Sequence, residues 1–310
     1  MIDNNVNMMT DHSKCLVCGS IDINKIKGYE KHYLTKCNQC SFVFSYRIPS
    51  AEELDHHYKV YAYSDGQYMS DVTKARYKEL LQEFSNYRKT GRMLDVGCGA
   101  GNFLEVAKNH DWKVYGTEFS QAAVSHCKNK GINIKEGVLD VNDYEKESFD
   151  IITSFEVIEH INNPKEELEK FYKLLRPGGL LYCTTPNFNA ISRYYLKEDY
   201  NIIQYPDHLS YYTNTTLHKL FSSSGLHKIK MMSTGISIDR IMANTTKKVK
   251  TKVRDSENTD EKLRTVLETN TFLKIAKWSL NKIFTVTKTG STLKAYYEKP
   301  SAPGTKCGAH

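Results

Sequence analysis

A chain of 310 residues, 40% apolar and 25% charged, is long enough for one large folded domain and a smaller unit. No run of about 18 apolar residues occurs, which excludes a membrane-spanning helix of ordinary length. The net charge of +7 is uneven: residues 241–310 hold 14 Lys and Arg against 6 Asp and Glu, and residues 1–240 hold 29 against 30.

Met1 to Lys14 are polar, with no apolar signal-peptide core, so a cytoplasmic protein is expected. Reduced thiols are then expected too, and paired cysteines point to metal before disulfides. The spacing Cys15-x2-Cys18-x18-Cys37-x2-Cys40 is that of two zinc knuckles. Each knuckle supplies two thiolates, and four thiolates close a tetrahedral, structural Zn²⁺ site with no open position. Residues 1–48 are therefore expected to be a small zinc ribbon, with a hairpin over 21–33.

Residues 49–90 read as a linker and helical cap. The linker is rich in Tyr and His, and His56, His57, Tyr61 and Tyr63 are expected to line an entrance. Tyr77, Leu80, Leu81, Phe84 and Tyr87 recur at helical spacing over 71–88. Residues 91–240 alternate strand and helix. Strands are predicted over 92–96, 113–117, 133–136, 149–155, 180–185 and 226–232. Helices are predicted over 102–109, 121–129, 165–175 and 215–223, with Pro164 in a first turn capped by Asn162 or Asn163. This succession predicts an α/β fold with a parallel sheet covered by helices on both faces. Residues 241–288 read as a helical insertion, 289–300 as a last strand and 301–310 as a tail. Within the insertion, residues 272–284 are amphipathic: Phe272, Ile275, Ala276, Leu280, Ile283 and Phe284 on one side, Lys274, Lys277 and Asn281 on the other. The apolar side is suited to its own domain, to a second copy in a homodimer, or to a membrane surface.

The chemistry begins at Met93-Leu-Asp-Val-Gly97-Cys-Gly99-Ala-Gly101-Asn102. An apolar strand runs into a glycine-rich turn and then a helix, which lets a ligand approach the main chain. A dinucleotide fingerprint needs Gly at position 102, where Asn102 stands, so a nicotinamide dinucleotide is disfavoured. Glu118 ends the next strand, 23 residues after Asp95, where a carboxylate accepts hydrogen bonds from both hydroxyls of a ribose.

Five motifs in order carry a resemblance: Leu94-Asp-Val-Gly-Cys-Gly-Ala-Gly101, Glu118, Ser148-Phe-Asp-Ile-Ile152, Phe155-Glu-Val-Ile-Glu-His160 and Leu174-Leu-Arg-Pro-Gly-Gly179. From Arg92 to Met232 the chain resembles the class I S-adenosylmethionine-dependent methyltransferases. The resemblance implies a Rossmann-like sheet of seven strands, the last antiparallel, with S-adenosylmethionine as cofactor. It implies Asp95, Gly97, Gly99 and Gly101 around the methionine part, Glu118 at the ribose, Phe119 beside the adenine, and Phe155 and Glu156 flanking the sulfonium. An acid is frequent in this family just after the third strand; here Val138 stands there, and the backbone of Val138 or Leu139, or Asp140, is left to meet the adenine. With its zinc ribbon, Tyr-rich linker, Thr184-Thr-Pro-Asn187 and Asp207-His-Leu-Ser-Tyr-Tyr212, the whole chain resembles methyltransferases of surface-polysaccharide and nucleotide-sugar pathways. The large C-terminal domain of the carbon-methylating relatives is not found in this sequence, so O-methylation of a sugar-based acceptor is expected.

A hydroxyl nucleophile is helped by a general base. His160 and His208, each after a strand end, are the candidates. Two other classes stay open. An RNA methyltransferase with a zinc ribbon is disfavoured because the ribbon has no Arg-rich stripe, so no nucleic acid is expected. A non-catalytic binding module is disfavoured by the intact glycine turn and Glu118.

Overall fold

The computed structural model describes residues 11–50, 52–54, 69–197, 200, 202–235 and 271–301. The readings made of His56, His57, Tyr61, Tyr63, residues 241–270 and residues 302–310 lie outside them.

The large sheet is built from β4 (Arg92–Val96), β5 (Lys113–Glu118), β6 (Asn133–Glu136), β7 (Phe149–Phe155), β8 (Leu175–Pro186), β10 (His227–Thr234) and β11 (Thr292–Glu298). Their order is β10-β11-β8-β7-β4-β5-β6. The five strands β4 to β8 pair in parallel, and β11 runs antiparallel to both β8 and β10. The seven-stranded sheet with its antiparallel last strand is as the motifs implied. β7 has six buried residues in seven, as a strand covered on both faces must.

The helices are α1 (Asp71–Phe84), α2 (Asn102–Lys108), α3 (Gln121–Asn129), α4 (Pro164–Leu174), α5 (Ile191–Leu196), α6 (Asn214–Ser223) and α7 (Thr271–Thr287). One face of the sheet packs Leu94, Ile152 and Leu181 against Leu168 and Phe171 of α4 and Leu220 of α6. The other packs Met93, Ile151 and Tyr182 against Phe84 of α1 and Phe103 of α2. Phe84 and Phe171 are almost wholly buried, each contributing about 1.5–3 kcal/mol by leaving water.

The small sheet has the order β1-β2-β3-β9, from β1 (Ile23–Lys25), β2 (Leu34–Cys37), β3 (Val43–Ser45) and β9 (Ser210–Tyr211). Three strands come from the cysteine-bearing N-terminus and the fourth from the loop after β8. Val43 pairs with Tyr211 and Phe44 with Ser210. Phe42 and Phe44 enter the same buried cluster as the sheet residues Leu94 and Leu181. The ribbon is thus sewn into the main body.

Three local expectations are corrected. β8 starts at Leu175, five residues earlier than predicted, because Phe149 pairs with Leu175 and the ladder then shifts past the Pro177-Gly178 kink to Ile151–Leu180. Asn163 precedes α4 but makes no cap; its side-chain amide donates to Glu166 Oε2 at 3.0 Å. α7 packs on the body along a mixed face: Asn281 Oδ1 accepts from the Gly235 amide at 2.9 Å, and Thr285 Oγ1 donates to the Ser233 carbonyl at 3.1 Å. Of the apolar side, Phe284 is buried, while Ile275, Leu280 and Ile283 are exposed.

Candidate active site

Parallel strands deliver their carboxyl ends to one edge of the sheet, which is where α/β folds bind ligands. At that edge β4 runs into Gly97-Cys98-Gly99-Ala100-Gly101. The three glycines have φ of +69°, +54° and +71°, which ordinary side chains adopt only with strain. The amides of Gly97 and Cys98 both donate to the Thr117 carbonyl, at 2.9 and 3.0 Å, and pin the turn to β5. A Cβ on Gly97 would stand 2.6 Å from Val157 Cγ2, so the turn also abuts the exit of β7.

Glu118 closes this turn. Its Oε2 accepts from the Gly99 amide at 2.9 Å, and its Oε1 from the amides of Phe119 and Ser120 at 2.8 and 2.9 Å. One carboxylate therefore joins the glycine turn to the start of α3. Asp95 is buried at the end of β4 and accepts from Thr153 Oγ1 at 2.7 Å. Desolvation, aided by the charge of Glu118 and opposed by the Thr153 hydrogen bond, raises its pKa to about 7. Phe119 and Val138 are exposed and stand after neighbouring strands, β5 and β6, whose ends pair as Glu118–Glu136. Leu139 is 2% exposed and belongs to the core, so its side chain does not reach a ligand and its backbone is what it has to offer. Phe155 is edge-to-face with Phe103 and Tyr182 beneath the turn, at 5.0 and 5.4 Å between ring centroids. Glu156 follows at φ +53°, exposed, its amide donating to the Thr184 carbonyl. A left-handed glycine turn, a strand-end carboxylate and an exposed aromatic side chain at one sheet edge fit an S-adenosyl group.

The second half of the site lies after β7 and β8. His160 and His208 are 48 residues apart in the chain, yet their rings stand 4.8 Å apart, edge to face. His160 Nδ1 lies 2.7 Å from the Asp207 main-chain oxygen and 3.2 Å from its Oδ1. His208 Nδ1 lies 2.8 Å from the Ile202 carbonyl. A carbonyl only accepts, so Nδ1 is the protonated nitrogen in both rings and Nε2 carries the lone pair in the neutral form. Glu159 is 1% exposed; its Oε2 accepts from Thr185 Oγ1 at 2.9 Å. Its Oε1 has no hydrogen-bond partner among the described residues. Desolvation, with the nearby charge of Glu156, raises Glu159 to about 8. Desolvation lowers His160, but the Asp207 hydrogen bond and the charges of Glu159 and Asp207 outweigh it and bring it to about 9. Sequence reasoning named the two histidines and missed Glu159 and Asp207, although each sits directly before its histidine in the chain.

The loop carrying His208 is held on both sides. The Leu209 amide donates to the Glu159 carbonyl and the Ser45 amide to the Leu209 carbonyl, both at 2.8 Å. The ribbon is thus the outer support of the histidine loop. Its four thiols fit a metal: Cys15 and Cys40 sulfurs are 3.5 Å apart, as are those of Cys18 and Cys37, and all four lie within 4.8 Å of one another. Tetrahedral thiolates at about 2.3 Å from Zn²⁺ stand roughly 3.8 Å apart. Desolvation raises Cys37, but hydrogen bonds from the Cys40 backbone, the Cys18 thiol and the Gln39 backbone bring it down to about 7, toward the thiolate that a metal requires. Desolvation pushes Cys40 the other way.

Residues 68–230 match the family model described as a methyltransferase domain. The chain is 31% identical over 124 residues to a ubiquinone biosynthesis O-methyltransferase of Coxiella burnetii, covering 38% of this chain and 52% of that one. It is 32% identical over 103 residues to the protein of the same name in Maricaulis maris, covering 31% and 41%. The chain thus spans about half the length of the curated relatives it matches. A solved S-adenosylmethionine-dependent methyltransferase of Archaeoglobus fulgidus is 17% identical with a TM-score of 0.49, covering 74% of this chain and 94% of that one. The family match takes in the glycine turn, Glu118, Glu159, His160 and His208 together, and the chain belongs to the methyltransferase-domain family, as an S-adenosylmethionine-dependent methyltransferase by fold and family.

Proposed function

We propose that this enzyme transfers the methyl group of S-adenosylmethionine to a hydroxyl oxygen, and that the acceptor is a sugar or sugar derivative. The observation that carries the reading is the meeting of His160, His208 and Glu159 at the sheet edge that also bears the glycine turn and Glu118. In-line transfer forms an O–C bond as the C–S bond breaks, the acceptor losing its proton and the sulfonium leaving as a neutral thioether. The protein must therefore align the hydroxyl and assist the loss of its proton. The two imidazoles, oriented through Nδ1 by main-chain carbonyls, are the groups placed to activate the acceptor. The relatives named as O-methyltransferases support oxygen as the nucleophile. The sugar class rests on the likeness of the ribbon, linker and Asp207–Tyr212 to enzymes of sugar pathways. Zinc in the Cys15–Cys18–Cys37–Cys40 site is structural in this reading, holding β3 against β9.

The test is incubation of the full chain with S-adenosylmethionine and a panel of nucleotide sugars and glycans. A methyl ether, with one S-adenosylhomocysteine per product, supports the reading. Methyl on nitrogen or carbon, or transfer to RNA alone, contradicts it.

A further inference from the structure

We propose that Glu159, His160 and His208 form a second metal site, distinct from the ribbon, which takes a divalent cation and through it an acceptor with adjacent hydroxyl oxygens. The role given to the ion rests on the hydroxyl-acceptor reading above; the site itself rests on geometry. One ligand atom from each of the three residues lies within 4.8 Å of the other two. An ion with bonds of about 2.1 Å gathers such a set with side-chain movements of up to roughly 1 Å each.

The surroundings are those of a ligand set. Glu159 is 1% exposed and its Oε1 has no hydrogen-bond partner among the described residues, which leaves one buried carboxylate oxygen unsatisfied in a residue grouped with the two histidines. Its other oxygen is fixed by Thr185. Both imidazoles donate Nδ1–H to a main-chain carbonyl, Asp207 for His160 and Ile202 for His208. That arrangement fixes tautomer and ring plane and leaves Nε2 as the nitrogen with a lone pair to offer a metal, as outer partners of metal-binding histidines do. The Asp207 carboxylate adds negative charge, its Oδ2 3.7 Å from His208 Nε2. Two imidazoles and one carboxylate suit a first-row divalent ion and leave coordination positions open. Adjacent hydroxyls of an acceptor at this sheet edge would fill two of them.

Manganese(II) separates this site from the ribbon, because four thiolates do not select it. The full chain, with zinc in the ribbon, is titrated with Mn²⁺ and free ion is followed by electron paramagnetic resonance. One Mn²⁺ per chain is expected, with affinity weakened roughly tenfold or more in Glu159→Gln and in His208→Gln. Unchanged S-adenosylhomocysteine affinity in either variant establishes that it is folded. No Mn²⁺ bound by the wild type, or equal binding by both variants, overturns the proposal. Methyl-ether formation that persists without bound metal overturns the role given to the ion and leaves O-methylation standing. Metal binding without methylation of any hydroxyl leaves the site standing and removes the acceptor reading.

Discussion

The amide of Leu209 donates to the carbonyl of Glu159 at 2.8 Å, tying the loop that carries His208 to the turn that carries His160. The same Leu209 accepts from Ser45 on the ribbon. Ribbon, acceptor loop and β7 exit thus form one hydrogen-bonded series, with the cysteines at its far end and the histidines in the middle.

Loss of the zinc proposed for the ribbon should therefore be felt at the acceptor and not at the cofactor. In Cys37→Ser/Cys40→Ser, elemental analysis should show zinc lost. Acceptor KM should rise or kcat fall by about tenfold, since a misplaced acceptor loses orientation before anything else. S-adenosylhomocysteine affinity, read by calorimetry, should change little. Equal damage to both would mean that the ribbon supports the whole fold.

Glu118 holds three main-chain amides, and the family resemblance assigns it the ribose. Glu118→Ala should weaken S-adenosylhomocysteine binding by a few kcal/mol, the loss of two charge-assisted bonds of about 1.5–3 kcal/mol each. An unchanged dissociation constant would place the ribose elsewhere.

Much of this was legible because it is local. The strand-turn-helix at Asp95–Asn102 and the acid at Glu118 are read from neighbours in the chain, and α3 begins and ends where its pattern said. What was not legible depends on distant partners. Asp150 and Arg176 stood out only as motif residues. In the fold Asp150 is fully buried, accepts from the amides of Lys89, Thr90 and Gly91 at 2.9, 2.8 and 2.7 Å, and pairs with Arg176 Nε at 2.5 Å. No spacing rule announces that a two-residue strand at Ser210–Tyr211 will join a sheet formed some 165 residues earlier. The amphipathic pattern of α7 found the helix but not the face that meets the body, which combines Phe284 with Asn281 and Thr285.

The Asp150 cluster gives a stability prediction. Asp150→Ala leaves a buried guanidinium and three amides without their acceptor. Breaking a buried pair costs about 3–5 kcal/mol, to be read from urea unfolding. A loss under about 1 kcal/mol would mean that water replaces the carboxylate.

Asp95 gives a pH dependence. Its ordinary pKa of 3.8 rises to about 7 in the fold. Between these values the folded chain keeps a proton that the unfolded chain has lost. Its contribution to stability is therefore fully present below about pH 4 and is lost as pH rises to 7. The loss is roughly 4 kcal/mol for a displacement of this size. Unfolding free energies of wild type and Asp95→Asn, without cofactor, should diverge over this range, the variant gaining relative to wild type as pH rises. Parallel profiles would show that Asp95 stays ionised in the fold.

The most direct test of the account follows the methyl group itself. The full chain is given S-adenosylmethionine with an isotopically labelled methyl group and a sugar-based acceptor, and the product is read by nuclear magnetic resonance. The label is predicted on oxygen as a methyl ether, formed by the wild type and reduced by about 10²-fold or more in His208→Gln with cofactor affinity intact. Label on nitrogen or carbon, or equal rates in the wild type and His208→Gln, would contradict it.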